Sequence, residues 1–258
     1  MTVTDINPEQ KAWQELRTWY AGPSGARLGA AERELLSGIL PDMFGYHLVQ
    51  VGLPDGHDWL GGSRINHHIL LDLARTNGSG ERSDAGLFAA ADRLPVASES
   101  VDVVVLPHTL DFHPRPHAIL REVDRVLIPQ GYVIILGFNP VSLWGLSRVF
   151  MTWRKQMPWR GQYYTQTRLR DWLALLGFDC TPRQGVFFRP PFANEKVMQK
   201  LMFMERFGQR CCPFISAVYA LTARKRMSTL TPIRPRWRTQ RKLVGVAEPT
   251  ARNMHRDG

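Results

Sequence analysis

Two short apolar runs separated by a helical pattern constrain the fold more than any other feature of this chain. Residues 101–106 and 132–137 are rich in Val, Ile and Leu, which is typical of strands that are buried on both faces. Between these runs, apolar residues recur at helical spacing: Ile119, Leu120, Val123, Val126 and Leu127. A Pro and a Gly, at positions 129 and 131, then end the pattern. Strand, helix and strand in this order indicate a parallel sheet with helical crossovers.

Similar patterns on both sides extend this unit into a larger domain. Further strands are predicted at residues 46–51, 66–71, 87–90, 186–188 and 215–221. Helices are predicted from Pro8 onward and at residues 27–39, 143–150, 165–177 and 194–207. The sequence therefore predicts an α/β fold with a doubly wound, mostly parallel, seven-stranded sheet and helices on both faces. Residues 1–40 would form an N-terminal helical cover, residues 41–223 the main domain and residues 224–258 a tail.

Charge is concentrated at the end of the chain. Residues 224–258 carry ten Lys or Arg against two acids, which accounts for +8 of the net charge of +10. This segment is rich in Pro, Thr and Arg without apolar periodicity, so we expect it to be disordered. Its Arg residues surround Trp237, which suits phosphate contact and base stacking, so a nucleic acid or another polyanion is one partner that fits. A solvated tail without a partner fits equally well.

Composition favours a cytoplasmic protein. No stretch approaches the roughly 20 apolar residues that a membrane helix needs. The first thirty residues are polar and lack a secretory pattern, and the three cysteines provide no disulfide framework. We therefore expect neither a membrane partner nor disulfide bonds, and the oligomeric state stays open.

The segment around residues 87–140 resembles the class I S-adenosylmethionine-dependent methyltransferases, in particular the type 11 methyltransferase domain. The shared features, in chain order, are Asp92, Leu94-Pro95, Val101-Asp102, the loop from His108 to Asp111, Arg125-Val126-Leu127 and Pro129-Gln130-Gly131. The resemblance extends more weakly over residues 46–221. It implies a Rossmann-like methyltransferase fold, S-adenosylmethionine as the cofactor and methyl transfer to an acceptor that the sequence does not identify.

The resemblance also implies where the cofactor binds. The loop after the first strand carries Gly52 and Gly56 at two of the family's three glycine positions, but Pro54 replaces the middle glycine and Gln50 replaces an acid. Pro54 removes an N–H group and adds bulk, so the loop is a degenerate version of the family's pattern. An acid about 20 residues after such a loop binds ribose hydroxyls in related folds, and Asp72 has this spacing. Asp92 would accept from the adenine amino group, with the backbone of Ala91 or Arg93 addressing the ring.

Polar residues after the fourth and fifth strands are the candidates for the substrate side. His108 follows the fourth strand, where the family places residues that face cofactor and substrate, and it could act as a general base. It could equally be a structural hydrogen-bonding residue. Asn139, after the fifth strand, is the candidate for a polar contact with the substrate. We expect Asp102 to order the start of its strand rather than to contact a ligand.

No metal site is predicted. His108, His113 and His117 lie close together in the sequence, but Pro114 and Pro116 prevent the last two from sharing a helix face in the usual way. No Cys or Glu cluster supports them.

Three functional classes follow from these observations. The first is an S-adenosylmethionine-dependent methyltransferase. The second is a non-catalytic protein of the same fold that binds a partner or nucleic acid through its basic arm. The third, a nicotinamide-dependent dehydrogenase, is weaker because the Gly-x-Gly-x-x-Gly pattern is absent.

Overall fold

The structure is a computed structural model that describes residues 8–74, 84, 86–151, 157–181, 184–187 and 216–227. The predicted helix at residues 194–207, residue 188 of the strand predicted at 186–188, residue 215 of the strand predicted at 215–221, Cys211, Cys212 and the tail beyond Met227 lie outside the described residues. So do the side chains of residues 148–151.

One sheet forms the centre of the molecule. Its strands are β1 (His47–Val51), β2 (His67–Asp72), β3 (Leu87–Phe88), β4 (Val101–Pro107), β5 (Leu127–Phe138), β6 (Phe178–Cys180), β7 (Gln184–Val186) and β8 (Val218–Lys225). The strand order is β3-β2-β1-β4-β5-β8-β6, and β7 also pairs with β8. The first five strands are parallel to one another, whereas β8 runs antiparallel to β5.

The predicted mostly parallel, seven-stranded sheet is confirmed, with one refinement at its edge. Strand β6 pairs with the end of β8 and β7 with its start, so these two short strands share the seventh position. The sequence patterns did not predict β6.

The domain also extends further along the chain than predicted. Strand β8 continues to Lys225, two residues beyond the boundary that we placed at 223. The Nζ atom of Lys225 donates to the backbone oxygen of Asp124 at 2.5 Å, and the Arg226 guanidinium pairs with Asp179. The first basic residues of the predicted tail are therefore part of the folded edge.

Helices cover both faces of the sheet. They are α1 (Pro8–Ala21), α2 (Pro23–Ile39), α3 (Pro116–Val126), α4 (Leu143–Met151) and α5 (Gln166–Leu175). The first three begin at a Pro, which lacks the N–H group that a helix leaves unpaired in its first turn. Helix α5 is capped by Thr165, whose hydroxyl accepts from the backbone N–H of Arg168 at 3.3 Å. Within the described ranges, no helix combines the length and the apolar character needed to cross a membrane.

Alternation of side chains along the central strands creates two apolar layers. One layer joins Leu48, Val103 and Leu136 to buried residues of α1 and α2. The other joins alternating residues of the same strands to α3 and α5. The two N-terminal helices therefore belong to the core of one face.

The chain reverses its direction of strand addition between β1 and β4. Strands β2 and β3 lie on one side of β1, and β4 and β5 lie on the other. In open α/β sheets, ligands bind beyond the carboxyl ends of the strands at such a point. Gly52 follows β1 and His108 follows β4, so the predicted site residues lie at this edge.

Candidate active site

The turn after β1 is closed by its own polar groups. Gly52 has a φ of +93°, a conformation that glycine adopts readily, and its N–H donates to the oxygen of Leu71 at 2.8 Å. The buried Gln50 donates through Nε2 to the oxygen of Gly52 at 3.1 Å and accepts from the N–H of Trp59 at 3.1 Å. The amide that replaces the family's acid therefore holds the loop together.

Pro54 occupies a position that favours proline. The N–H of Gly56 donates to the oxygen of Leu53 at 3.1 Å, which closes a turn with Pro54 second. Gly56 has a φ of +84°. The next residue, Asp55, accepts from Trp59 Nε1 at 2.8 Å and pairs with Arg33. Pro54 thus pre-shapes the turn. The contacts of Asp55 attach this turn to α2 and to the following loop.

Asp72 ends β2 as predicted and forms a buried ion pair. Its Oδ2 atom lies 2.6 Å from the guanidinium of Arg17, and the two side chains are 0% and 7% exposed. Arg17 also donates to the backbone oxygen of Leu53 at 3.3 Å. The other carboxylate oxygen, Oδ1, accepts from the N–H of Ala74 at 3.2 Å. Helix α1 therefore contacts both the predicted ribose acid and the glycine turn.

Trp13 covers Gly52. A Cβ atom built on Gly52 would lie 2.7 Å from Cη2 of the indole and 3.1 Å from the hydroxyl of Thr109, which is too close for any larger residue. The ring is 2% exposed, and its edge faces Phe112 with 6.4 Å between ring centroids. An indole thus fills the space above the turn.

Asp92 lies just beyond β3 and pairs with Arg115. The distance from Asp92 Oδ2 to the guanidinium is 2.5 Å. The neighbouring Arg93 points outward, with 85% of its side chain exposed. The structure therefore places Asp92 at the predicted edge of the sheet, and its role toward adenine stays a prediction.

His108 is the centre of a buried polar network. Its Nδ1 lies 2.9 Å from Oδ2 of Asp111, and its Nε2 lies 2.8 Å from Oε1 of Glu32 on α2. The hydroxyl of Tyr20 on α1 donates to the other oxygen of Glu32 at 2.9 Å. The imidazole stacks on Phe138 with 4.1 Å between ring centroids and is fully buried.

The network keeps the imidazole charged. Burial alone would lower the pKa of His108, but the charge of Glu32 and the hydrogen bonds to Asp111 and Glu32 raise it from 6.5 to about 9. Burial, followed by the charge of Glu32, raises the pKa of Tyr20. With both nitrogens donating, His108 has no lone pair free to accept a proton in this arrangement. A catalytic role for His108 stays a prediction that requires the network to open.

The remaining candidates serve local structure. Asn139 donates through Nδ2 to the oxygen of Ser216 at 2.9 Å and accepts from the N–H of Val141 at 3.0 Å, so its amide ties the end of β5 to the residues before β8. The Asp102 carboxylate accepts from the N–H groups of Tyr46 and His47 at 2.9 and 2.8 Å, which orders the start of β1. Whether Asn139 contacts a substrate stays untested.

Two cavities flank α1 near the carboxyl edge of the sheet. One, of about 300 Å³, is lined by Glu9, Gln10, Asp72, Leu73, Phe88, Ala89 and Ala90. The other, of about 230 Å³, is lined by Pro8, Glu9, Ala12, Asp111, Phe112, His113, Pro114, Met157, Arg160, Gly161 and Gln162. The first cavity lies beside the predicted ribose acid. The second lies beside the loop that follows β4.

Sequence analysis missed the partners that α1 and α2 contribute. Arg17 and Glu32 are buried charges on helices whose other inward residues are apolar. A charged residue within an apolar helical stripe was the available signal, because such a residue is buried only with a partner. Spacing along the chain could not identify these partners, since they lie 55 and 76 residues away.

Comparison with known proteins agrees with this geometry. Residues 67–135 match the family model described as "Methyltransferase domain". The chain is 35% identical over 161 residues to the uncharacterized protein YafS of Escherichia coli, covering 62% of this chain and 64% of that protein. The chain thus spans somewhat less than two thirds of this relative.

Two solved structures share the fold. An S-adenosylmethionine-dependent methyltransferase from Thermotoga maritima superposes with a TM-score of 0.54 at 16% identity, covering 77% of this chain and 89% of that one. Another, from Mesorhizobium loti, has a TM-score of 0.51 at 14% identity, covering 74% and 96%. At these sequence identities, the similarity shows a shared fold and nothing further.

The strand order, the glycine turn after β1 and the acid that ends β2 define a methyltransferase-type α/β domain. The match of the segment from β2 to β5 to the methyltransferase-domain model, together with the shared fold, makes this chain similar to the class I S-adenosylmethionine-dependent methyltransferases.

Proposed function

We propose that this protein transfers a methyl group from S-adenosylmethionine to an acceptor that is not yet identified. The observation that carries the proposal is the cavity of about 300 Å³ bordered by Asp72, beyond the carboxyl ends of β2 and β3. An acid at the end of the second strand, next to a cavity, is suited to the hydroxyls of a ribose. The match of residues 67–135 to the methyltransferase-domain model supports methyl transfer as the reaction.

The described residues fit the nucleoside half of this cofactor. Asp72 supplies a carboxylate for the hydroxyls, and Phe88 and Ala89 supply apolar lining. By resemblance, the amino-acid half belongs over Gly52, where Trp13 now lies. Binding of the whole molecule therefore requires a rearrangement of α1.

When bound, S-adenosylmethionine supplies an electrophilic methyl group on a sulfonium. The protein residues would hold the acceptor in line with that group and exclude water. Alignment by itself can provide much of the rate enhancement. The second cavity, lined by Phe112, His113 and Met157, is our proposal for the acceptor side. His108, charged below a pH of about 9, would position the loop after β4 rather than remove a proton.

Calorimetry with S-adenosylmethionine and S-adenosylhomocysteine tests the proposal. Both ligands should bind, and Asp92→Ala should weaken binding by roughly 1–3 kcal/mol, the usual cost of removing a buried polar partner. Asp179→Ala, at the opposite edge of the sheet, is the control and should leave the affinity unchanged. Absence of binding up to millimolar ligand would instead favour a non-catalytic protein of this fold. Unchanged affinity in Asp92→Ala would remove Asp92 from the site.

A further inference from the structure

We propose that helix α1 carries a plug, formed by Trp13 and Arg17, that the cofactor must displace in order to bind. Arg17 takes the place of the ribose hydroxyls on Asp72, and Trp13 takes the place of the amino-acid half over Gly52. The inference rests on the proposed function, because it identifies how access to the same site is controlled.

Arg17 competes directly for the ribose acid. The guanidinium lies 2.6 Å from Oδ2 of Asp72, and Oδ1 already accepts from the N–H of Ala74. Both carboxylate oxygens are therefore engaged inside the protein. A pair of hydroxyl donors gains full access to this carboxylate only when Arg17 withdraws, because the ion pair is buried on both sides.

Trp13 competes for the space above the glycine turn. Gly52 leaves room for a ligand to approach the backbone, but the indole approaches it instead, to within 2.7 Å of where a Cβ would lie. Trp13 and Arg17 are four residues apart and lie on the same face of α1. One movement of the helix therefore opens both positions.

The polar contacts of α1 around the plug can be exchanged, whereas Leu16 and Tyr20 of the same helix pack in the core. Among the described residues, no acceptor lies within hydrogen-bonding distance of Arg17 Nε, although this atom is buried. A buried donor without a partner is costly, which limits how firmly the plug is held. The start of α1 is attached by a contact of 3.3 Å between Glu9 and His113, and its middle by the ion pair of Glu15 with Arg160, which is partly exposed on both sides. Such exposed pairs contribute little to stability.

Two ligands and three variants separate the roles of the plug residues. Calorimetry should use adenosine, which has the ribose hydroxyls alone, and S-adenosylhomocysteine, which adds the amino-acid half. Arg17→Gln should tighten binding of both ligands by roughly tenfold or more, because the binding-competent state becomes more populated. Trp13→Leu should tighten S-adenosylhomocysteine more than adenosine, because it also clears the space over Gly52. Thr18→Ala is the matched control, because the Thr18 hydroxyl donates to the backbone oxygen of Gln14 within α1 and Thr18 is exposed.

Hydrogen–deuterium exchange supplies a second measurement on the wild-type protein. Saturating S-adenosylhomocysteine should speed exchange in residues 8–21, because an undocked helix of 14 residues is only marginally stable. Slower exchange there would show that the ligand binds beneath a docked α1 and would overturn the plug.

Failure of the plug differs from failure of the proposed function. Wild-type binding with unchanged affinity in Arg17→Gln and Trp13→Leu would overturn the plug and leave the proposed function standing. Absence of binding in the wild type and in every folded variant would overturn both. Should Trp13→Leu fail to fold, Arg17→Gln with adenosine decides the question, because this variant leaves the indole of Trp13 and its packing in place.

Discussion

His108 combines a strained backbone with a buried charge. Its φ of +56° is unusual for a residue with a side chain, and the surrounding contacts maintain it. The positive φ directs the ring between Asp111 and Glu32, while the backbone N–H still donates to the oxygen of Leu136 at 3.0 Å. The strain is therefore offset by two charge-assisted hydrogen bonds, of which the one to Glu32 joins α2 to the end of β4.

The charge of His108 predicts a pH-dependent stability. Because the folded-state pKa of about 9 exceeds the unfolded value of 6.5, this residue stabilises the protein fully below pH 6.5. That contribution, on the order of 3 kcal/mol, should be lost as the pH rises from 6.5 through 9. Urea denaturation across this range should show the loss in wild type and not in His108→Asn. His117→Asn, on α3, is the control and should keep the wild-type profile; a flat wild-type profile would contradict a charged His108.

Gln50 shows why an amide replaces an acid in this loop. Its Nε2 atom faces the backbone oxygen of Gly52, so a carboxylate would place two acceptors against each other in a buried position. Gln50→Glu should therefore reduce the free energy of unfolding by about 1–3 kcal/mol, the cost of leaving buried polar groups unpaired. Gln130→Glu is the control, because Gln130 is exposed and its side-chain oxygen accepts from Arg224. Equal stability of Gln50→Glu and the wild type would show that the loop does not depend on the amide donor.

At the scale of elements, Arg125 connects two motifs that lie apart in the sequence, Leu94-Pro95 and Arg125-Val126-Leu127. Its guanidinium donates to the backbone oxygens of Leu94 and Val96 at 3.2 and 2.9 Å, and Glu122 accepts from the N–H of Leu94 at 2.8 Å. The last turn of α3 therefore holds the loop that follows Asp92. The hydrogen bond to Arg125 lowers the pKa of Glu122, which keeps this carboxylate charged.

Removing the Arg125 contacts should loosen that loop. Arg125→Ala should destabilise the protein by about 1–2 kcal/mol and speed amide exchange in residues 94–98. Arg125→Lys should restore little, because an ammonium lacks the planar fork that contacts several acceptors. Arg121→Ala, at an exposed position of the same helix, should change neither quantity. Unaltered exchange in Arg125→Ala would mean that the loop is held by its apolar contacts instead.

Patterns along the chain predicted the central elements and missed those that depend on distant pairing. Strands β1, β2 and β4 were predicted because each contains several Val, Ile or Leu residues in a short segment. Strand β6 escaped because three residues at an edge carry no period, and the strand predicted at 186–188 ends earlier because Phe187 has a φ of +62°. The residues predicted at the carboxyl edge do lie there, since the glycine turn and the strand-end acids are local signals. Arg17 and Glu32 required knowledge of how α1 and α2 pack on the sheet.

At the scale of the whole molecule, the ten Lys or Arg of residues 224–258 divide into two groups. Arg224, Lys225 and Arg226 belong to the folded edge, where they contact Gln130, Asp124 and Asp179. The seven Lys or Arg beyond Met227, with Glu248 and Asp257, carry +5 of the net charge of +10. Electrostatic binding of a polyanion to the tail should therefore depend on these seven residues.

A chain ending at Met227 tests this division. It should keep the wild-type thermal midpoint and its affinity for S-adenosylhomocysteine, because the strand contacts of Lys225 and Arg226 are retained. The full-length protein should bind single-stranded DNA at low salt with an affinity that falls steeply as salt rises, since counterion release would drive it. The shortened chain should lose most of that binding. Equal binding by both would place the interaction on the domain, with Arg160, Arg168 and Arg170 as the next residues to substitute. A marked fall in the midpoint on truncation would instead show that residues 228–258 stabilise the fold, which contradicts their assignment as a disordered tail.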